Sequence, residues 1–247
     1  NSLILNVLFQ QFIKTAFLSQ TVLPTATDMG HHMYWAKWIT ENQTLPDYGG
    51  LPDFIIGEHV IFAIISLISG LSFFSAFPIL VLYLVNIFSL LTIFILILRI
   101  FKEKRIALLV LFLLGTLFAI ASPQAKFVSG GVIGNLLGNL LLPTAFYFFF
   151  RFSELLFAEN QKKLARTFLA LTIFSIFGLF YTHHLTAFLF LFIFSFALLV
   201  FLMVNFRKAG KILATSFKAL LSRQVFPVIL LGLIFFLLIL TPNYFSL

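Results

Sequence analysis

The chain has no cysteine and very little charge. The missing cysteine excludes disulfides, thiolate nucleophiles and thiolate-ligated zinc or iron–sulfur sites. Charged residues make up 10% of the 247 positions, with only eight acids, where a soluble domain carries about 25%. Hydrophobic residues reach 61%, above the usual range of about 45–50%. That composition excludes a soluble globular fold. No stretch shows the apolar/polar alternation of an outer-membrane strand, and no internal repeat, low-complexity linker or soluble domain stands out. What the sequence does have is a series of apolar runs that reach or approach the roughly 20 residues a helix needs to cross a bilayer. Lipid offers backbone groups no other partner, so such runs must be helical. The expected fold class is an all-α integral membrane protein, a multispanning helical bundle. Phenylalanine occurs 36 times, as expected of interchangeable lipid-facing side chains rather than of chemistry.

Spans are expected near residues 77–100, 106–121, 136–150, 167–181, 185–204 and 225–240, about six helices within 77–240. The connections "RIFKEKR", "RFSELLFAENQKKLAR" and "RKAGKILATSFKALLSR" hold thirteen of the sixteen Lys and Arg. They fall on every second turn, which is the positive-inside pattern of cytoplasmic loops. The net charge of +8 is therefore topological, and no nucleic-acid partner is expected. The other connections then face outward from a plasma membrane, taking with them all five histidines and five of the eight acids. Residues 25–75 form an outer-face loop with interfacial helices. Within it, the apolar core 60–71 is short and holds Ser66, Ser69 and Gly70, which suits a re-entrant or interfacial helix better than a span.

The opening "NSLILNVLFQQFIKTAFLSQ" starts in mid-pattern, and the chain is expected to be a piece of a longer one. Asn6, Gln10 and Lys14 form one polar stripe on an otherwise apolar helix. The stripe fits a membrane helix facing the protein interior, an interfacial helix, or the remnant of a first span. The most polar stretch is "TATDMGHHMYWAKWITENQTLPDYG", residues 25–49. Thr25 followed by Asp28 resembles a capping box for a helix from about residue 26 to 41. On it Asp28, His31 or His32, and Trp35 share a face at three-to-four spacing. Tyr34, Trp35 and Trp38 are residue types of the membrane–water boundary. "LPDYGGLPDF" then turns the chain back, and "IIGEHVIF" carries Glu58 and His59 into the next apolar helix.

The order of these elements resembles the GT-C clan of multispanning glycosyltransferases that use lipid-linked sugars. That clan contains protein O-mannosyltransferases, oligosaccharyltransferase catalytic subunits and lipid A aminoarabinose transferases. The resemblance implies that Asp28 matches the acid following the first span, and that "HHMYWAKWITENQTLPDYG" matches the surface helix and its exit. It implies further that "GEHVIFAIISLISGL" matches a juxtamembrane helix and "FYTHHLTAF" the "T-H" ending a later span. Two departures stand out. The loop "SPQAKFVSGGVIGNLLGN" lacks the second acid many members carry, and residues 1–247 do not include the C-terminal outer domain that the resemblance leads one to expect.

The implied activity is transfer of a sugar from a polyprenyl-phosphate-linked donor to an acceptor hydroxyl at the outer face, with membrane lipid as the surroundings. Asp28 is the candidate base for the attacking hydroxyl. His31, His32, Trp35, Lys37, Glu58, His59, Lys126, His183 and His184 are the candidate substrate-binding residues. Lys126 stands just before "SGGVIGNLLG", whose amides at a helix start suit phosphate. Glu58 with His59 suits either acceptor orientation or a divalent metal such as Mg or Mn. Structural readings stand beside each role. Asp28 completes a cap, His31 and His32 are interfacial, and Gly130, Gly134 and Gly138 at four-residue spacing serve close helix packing. His183 and His184 either support the site or snorkel at the boundary. The alternative function is a transporter or lipid flippase without transferase activity, which would place ionisable groups near mid-span; the mid-span positions are almost purely apolar. A metal site built from His31, His32, His59, His183 and His184 is a third reading, without a firm ligand-spacing motif.

Overall fold

The computed structural model describes residues 2–15, 27–48, 51–52, 56–121 and 133–244. The order is α1 (Ser2–Thr15), α2 (Thr27–Asn42), a hairpin of β1 (Asp47–Tyr48) and β2 (Leu51–Pro52), α3 (Gly57–Ser69), α4 (Phe77–Phe101), α5 (Lys104–Ala121), α6 (Ile133–Leu155), α7 (Lys162–Thr182), α8 (His184–Val204), α9 (Ala209–Leu220) and α10 (Phe226–Tyr244). Four of these, α4, α6, α7 and α8, are long and apolar enough to cross a membrane. The other two expected spans are also helical, as α5 with 18 residues and α10 with 19. At about 1.5 Å per residue, the 13 residues of α3 fall well short of the roughly 30 Å hydrocarbon layer. The antiparallel hairpin pairs Asp47 with Pro52 and Tyr48 with Leu51 and turns the chain back as expected.

Local chemistry sets several helix limits. Pro78 sits in the first turn of α4, where its missing N–H costs nothing. The same helix ends at Lys102, whose left-handed backbone (φ 56°) returns its N–H to the Leu98 carbonyl. Gly70 closes α3 in the same way at φ 69°, donating to Ser66.

Packing follows chain order. α1 lies against α5 and α4, α4 against α5 and α6, α6 against α7 and α8, and α7 also against α10, while α2 rests on α3. Asn6 donates to the Leu108 carbonyl at 3.2 Å and Gln10 to that of Leu111 at 2.7 Å. This part of the α1 polar stripe therefore faces α5; the Lys14 side chain lies outside the described residues. Arg99 at the end of α4 and Arg151 on α6 both donate to the Glu154 carboxylate, so α4 and α6 end together. α7 runs back, bringing Thr182 beside Gly134 at the start of α6. One end of the bundle thus carries Arg99, Arg151, Lys162 and Arg166. The other carries the starts of α3, α6 and α8 and the end of α7.

Two glycines permit this convergence. A Cβ at Gly134 would lie 2.7 Å from the Thr182 carbonyl, and one at Gly138 would lie 2.6 Å from Thr186 Oγ1. The close-packing reading of their four-residue spacing is what the structure displays for these two; Gly130 lies outside the described residues. The interior Pro143 of α6 has its own consequence. A proline leaves the carbonyl four residues earlier without its helical donor, here Asn139, and the Ser89 hydroxyl of α4 donates to that oxygen at 2.8 Å. Ser89→Ala is therefore expected to destabilise the fold by about 0.5–1.5 kcal/mol. The loss should shrink in a Pro143→Ala background, where the restored N–H takes the carbonyl. Unfolding in mixed micelles checks this, and equal losses in both backgrounds would refute the coupling.

Candidate functional site

Helix α2 has two faces. Met29, Met33 and Ala36 are buried at spacings of four and three, and they pack on Phe62, Phe73 and Phe77. This stripe seats α2 on α3 and decides which of the paired histidines turns inward. His32, one residue before Met33, points at α3. His31 stays outside, where its Nε2 accepts from Trp35 Nε1 at 3.0 Å, within a ring cluster of half-buried Trp35 and exposed Tyr34 and Trp38. The sequence left open which histidine shares a face with Trp35, and the packing assigns His31.

The inward group meets two enclosed side chains. Glu58 is 0% exposed and His59 2%, both in the first turn of α3. His32 Nδ1 lies 2.8 Å from His59 Nε2 and 3.6 Å from Glu58 Oε1. One donor atom from each of the three lies within 4.8 Å of the others. Burial, with His32 and His31 nearby, lowers the His59 imidazole from its ordinary 6.5 to about 3, which favours the neutral ring, with one nitrogen free to accept. Its Nδ1 has no hydrogen-bond partner among the described residues.

The surrounding backbone explains how a carboxylate reaches this depth. A Cβ at Gly57 would lie 2.9 Å from the Tyr181 carbonyl, so α3 enters against the end of α7. A Cβ at Gly134 would lie 3.4 Å from Glu58 Oε1, so the carboxylate sits over the first turn of α6. A helix start carries partial positive charge and favours an anion there.

The remaining expected residues divide. His183 caps α8: its Nδ1 accepts from the Thr186 N–H at 3.2 Å and lies 2.6 Å from Thr186 Oγ1. Burial, then neighbouring His184, lowers its pKa, consistent with a ring that accepts. His184 remains exposed, its ring 5.8 Å from that of His183. Lys37 turns away, pairing with Glu41 at 3.5 Å and lying over the Phe74 ring, where it lines a cleft of about 380 Å³ with Thr40 and Ser66. Asp28 belongs to α2, one helical turn before His32, with its side chain outside the described residues, as are Thr25 and the whole of Lys126. Sequence reasoning missed Thr186, although a histidine three residues before a threonine at a helix start is a readable cap. It also missed Gly57 and the Met29–Met33–Ala36 stripe.

Contact between the two inward imidazoles makes their substitutions interdependent. His32→Ala and His59→Ala should each destabilise the fold, and the double variant should fall short of the sum by at least about 0.5 kcal/mol. Unfolding of the four proteins in mixed micelles measures the cycle, and strict additivity would mean that the rings do not interact.

Comparisons with curated proteins and with solved structures find no match. A family match covers residues 57–245, beginning at the glycine that admits α3 to the bundle and taking in Glu58, His59, Gly134, Gly138, His183 and His184, while α2 lies before it. The chain belongs to the family described as "Family of unknown function (DUF6541)".

Proposed function

We propose that this protein is a membrane-embedded glycosyltransferase that moves a sugar from a polyprenyl-phosphate-linked donor to an acceptor hydroxyl at the outer membrane face. The observation that carries the reading is the enclosed Glu58, His59 and His32 cluster at the cation-poor end of an otherwise apolar bundle. Ionisable groups in apolar surroundings are costly and belong mostly to functional sites. The Tyr34, Trp35 and Trp38 rings beside the cluster suit the headgroup level of a bilayer. α8 adds support for membrane insertion, since it exposes Phe188, Phe192 and Phe196, a surface that water would not tolerate.

In the proposed reaction the acceptor oxygen attacks the anomeric carbon and forms the new glycosidic bond. The bond from that carbon to the lipid phosphate breaks, and the phosphate leaves with the electron pair. The acceptor proton passes to the carboxylate of Asp28, a residue of α2 one helical turn before His32 in the sequence. Glu58 and His59 orient the reacting groups, and Lys126 with the amides before α6 stabilises the departing phosphate. The residue pattern on α2, α3 and the α7–α8 junction that resembles the GT-C clan supports this assignment.

Transfer from radiolabelled polyprenyl-phosphate sugars in membranes carrying the full-length protein is the test. Asp28→Asn should lower the rate by about 10²–10⁴-fold at unchanged expression, and an undiminished rate would remove Asp28 as the base. The orientation predicts that cysteine at Tyr34 is labelled by an impermeant maleimide on intact cells and cysteine at Gln161 only after lysis. The reverse pattern would place the cluster on the cytoplasmic side and overturn the reading.

A further inference from the structure

We infer that His32, Glu58 and His59 form a binding site for a transition-metal dication of the zinc type, joining the surface helix α2 to α3. The inference concerns metal binding alone and stands whether or not the protein transfers sugars.

Geometry comes first. A tetrahedral zinc with bonds of about 2.0–2.2 Å places its ligand atoms about 3.3 Å apart. The separations of 2.8 Å between the two imidazole nitrogens and 3.6 Å from His32 to Glu58 Oε1 bracket that value. All three donor atoms lie within 4.8 Å of one another, so side-chain adjustment alone brings them around one centre. The backbone already holds the donors together: Glu58 and His59 are consecutive in the first turn of α3, and His32 is delivered by the Met29–Met33–Ala36 seat of α2. Almost no side-chain freedom remains to be lost on binding, because Glu58 and His59 are fully enclosed and His32 is mostly so, at 19% side-chain exposure.

The donor set selects the ion. Two neutral imidazoles and one carboxylate suit zinc and its neighbours cobalt and nickel. Magnesium prefers oxygen ligands and retains its waters, so this set fits it poorly. Three protein ligands leave at least one coordination position for water or an anionic group. Binding through His59 Nε2 puts the ring proton on Nδ1, which finds no acceptor among the described residues. Missing outer support of this kind weakens affinity by about 10–100-fold, so the metal should exchange and be removable by a chelator.

The other three histidines provide internal controls. His31 is engaged with Trp35, His183 caps α8, and His184 is exposed. None belongs to the three-residue cluster.

The experiment uses the full-length, tag-free protein in detergent, stripped with a chelator and dialysed against zinc, cobalt or magnesium chloride. Metal content is read by mass spectrometry and the cobalt form by its visible absorption. Expected is about one zinc per chain, little retained magnesium, and a cobalt spectrum typical of nitrogen and oxygen ligands. His59→Ala and His32→Ala should lose at least about nine-tenths of the zinc, and Glu58→Gln should weaken it, while His31→Ala and His184→Ala retain it. The visible cobalt band in the wild type reads the site without any variant, which guards against variants that fail to fold. Zinc content no higher than in His32→Ala/His59→Ala, equal retention by all variants, or preferential magnesium binding would each overturn the inference. Stoichiometric zinc in a protein without transferase activity would support the site while refuting the proposed reaction.

Discussion

The close approach of α6 to the end of α7 is the contact on which the arrangement of this end of the bundle depends. Gly134 lies so near the Thr182 carbonyl that any side chain there would meet backbone, and one at Gly138 would meet the Thr186 side chain. With α6 held in, α7 and α8 meet at His183, whose ring caps the new helix. Gly57 lets α3 enter against the same junction. The Glu58 carboxylate then comes to rest over the first turn of α6, where the helix dipole favours it. Three glycines, one on α3 and two on α6, therefore create the space in which the ionisable groups meet.

Polar groups elsewhere in the bundle are handled differently. Ser89 answers the carbonyl that Pro143 leaves exposed, and Asn6 and Gln10 bind backbone oxygens of α5. These are pairwise repairs and couplings between neighbouring helices, of the kind that substitutes for hydrophobic association where the surroundings are as apolar as the side chains. At the α2–α3 joint the two rings and the carboxylate instead gather at one point. That contrast separates the candidate site from polar groups whose work is structural. The opposite end of the bundle is distinct again: Arg99 and Arg151 share Glu154 there, within the basic connections that hold thirteen of the sixteen Lys and Arg.

Much of the architecture was legible in the residues. A run of twenty apolar side chains admits one conformation in an apolar medium, so helix positions follow from length and hydropathy, and α4, α6, α7 and α8 cover the expected runs. They extend beyond them because polar end residues, such as Glu154 and Lys162, continue a helix as readily as apolar ones. The helix over the polar stretch was also legible, its observed range of Thr27–Asn42 lying within a residue of the expected one. The spacing of Gly134 and Gly138 announced close packing, though not the partner, since a small residue records that something approaches without recording what.

By itself the sequence determined the all-helical class, the positions of the long apolar helices, the charge asymmetry between alternate connections and the short list of ionisable groups. All of these follow from local composition and from the period of the apolar pattern. Only the tertiary structure decided which of those groups meet. His31 and His32 are adjacent and chemically identical, and nothing local distinguishes them; the Met29–Met33–Ala36 stripe turns one toward Glu58 and leaves the other with Trp35. His183 was separated from His59 in role in the same way, by the cap it makes to Thr186. The physical reason is that distances between side chains on different helices depend on how the helices seat against one another, and that seating depends on packing across the whole junction.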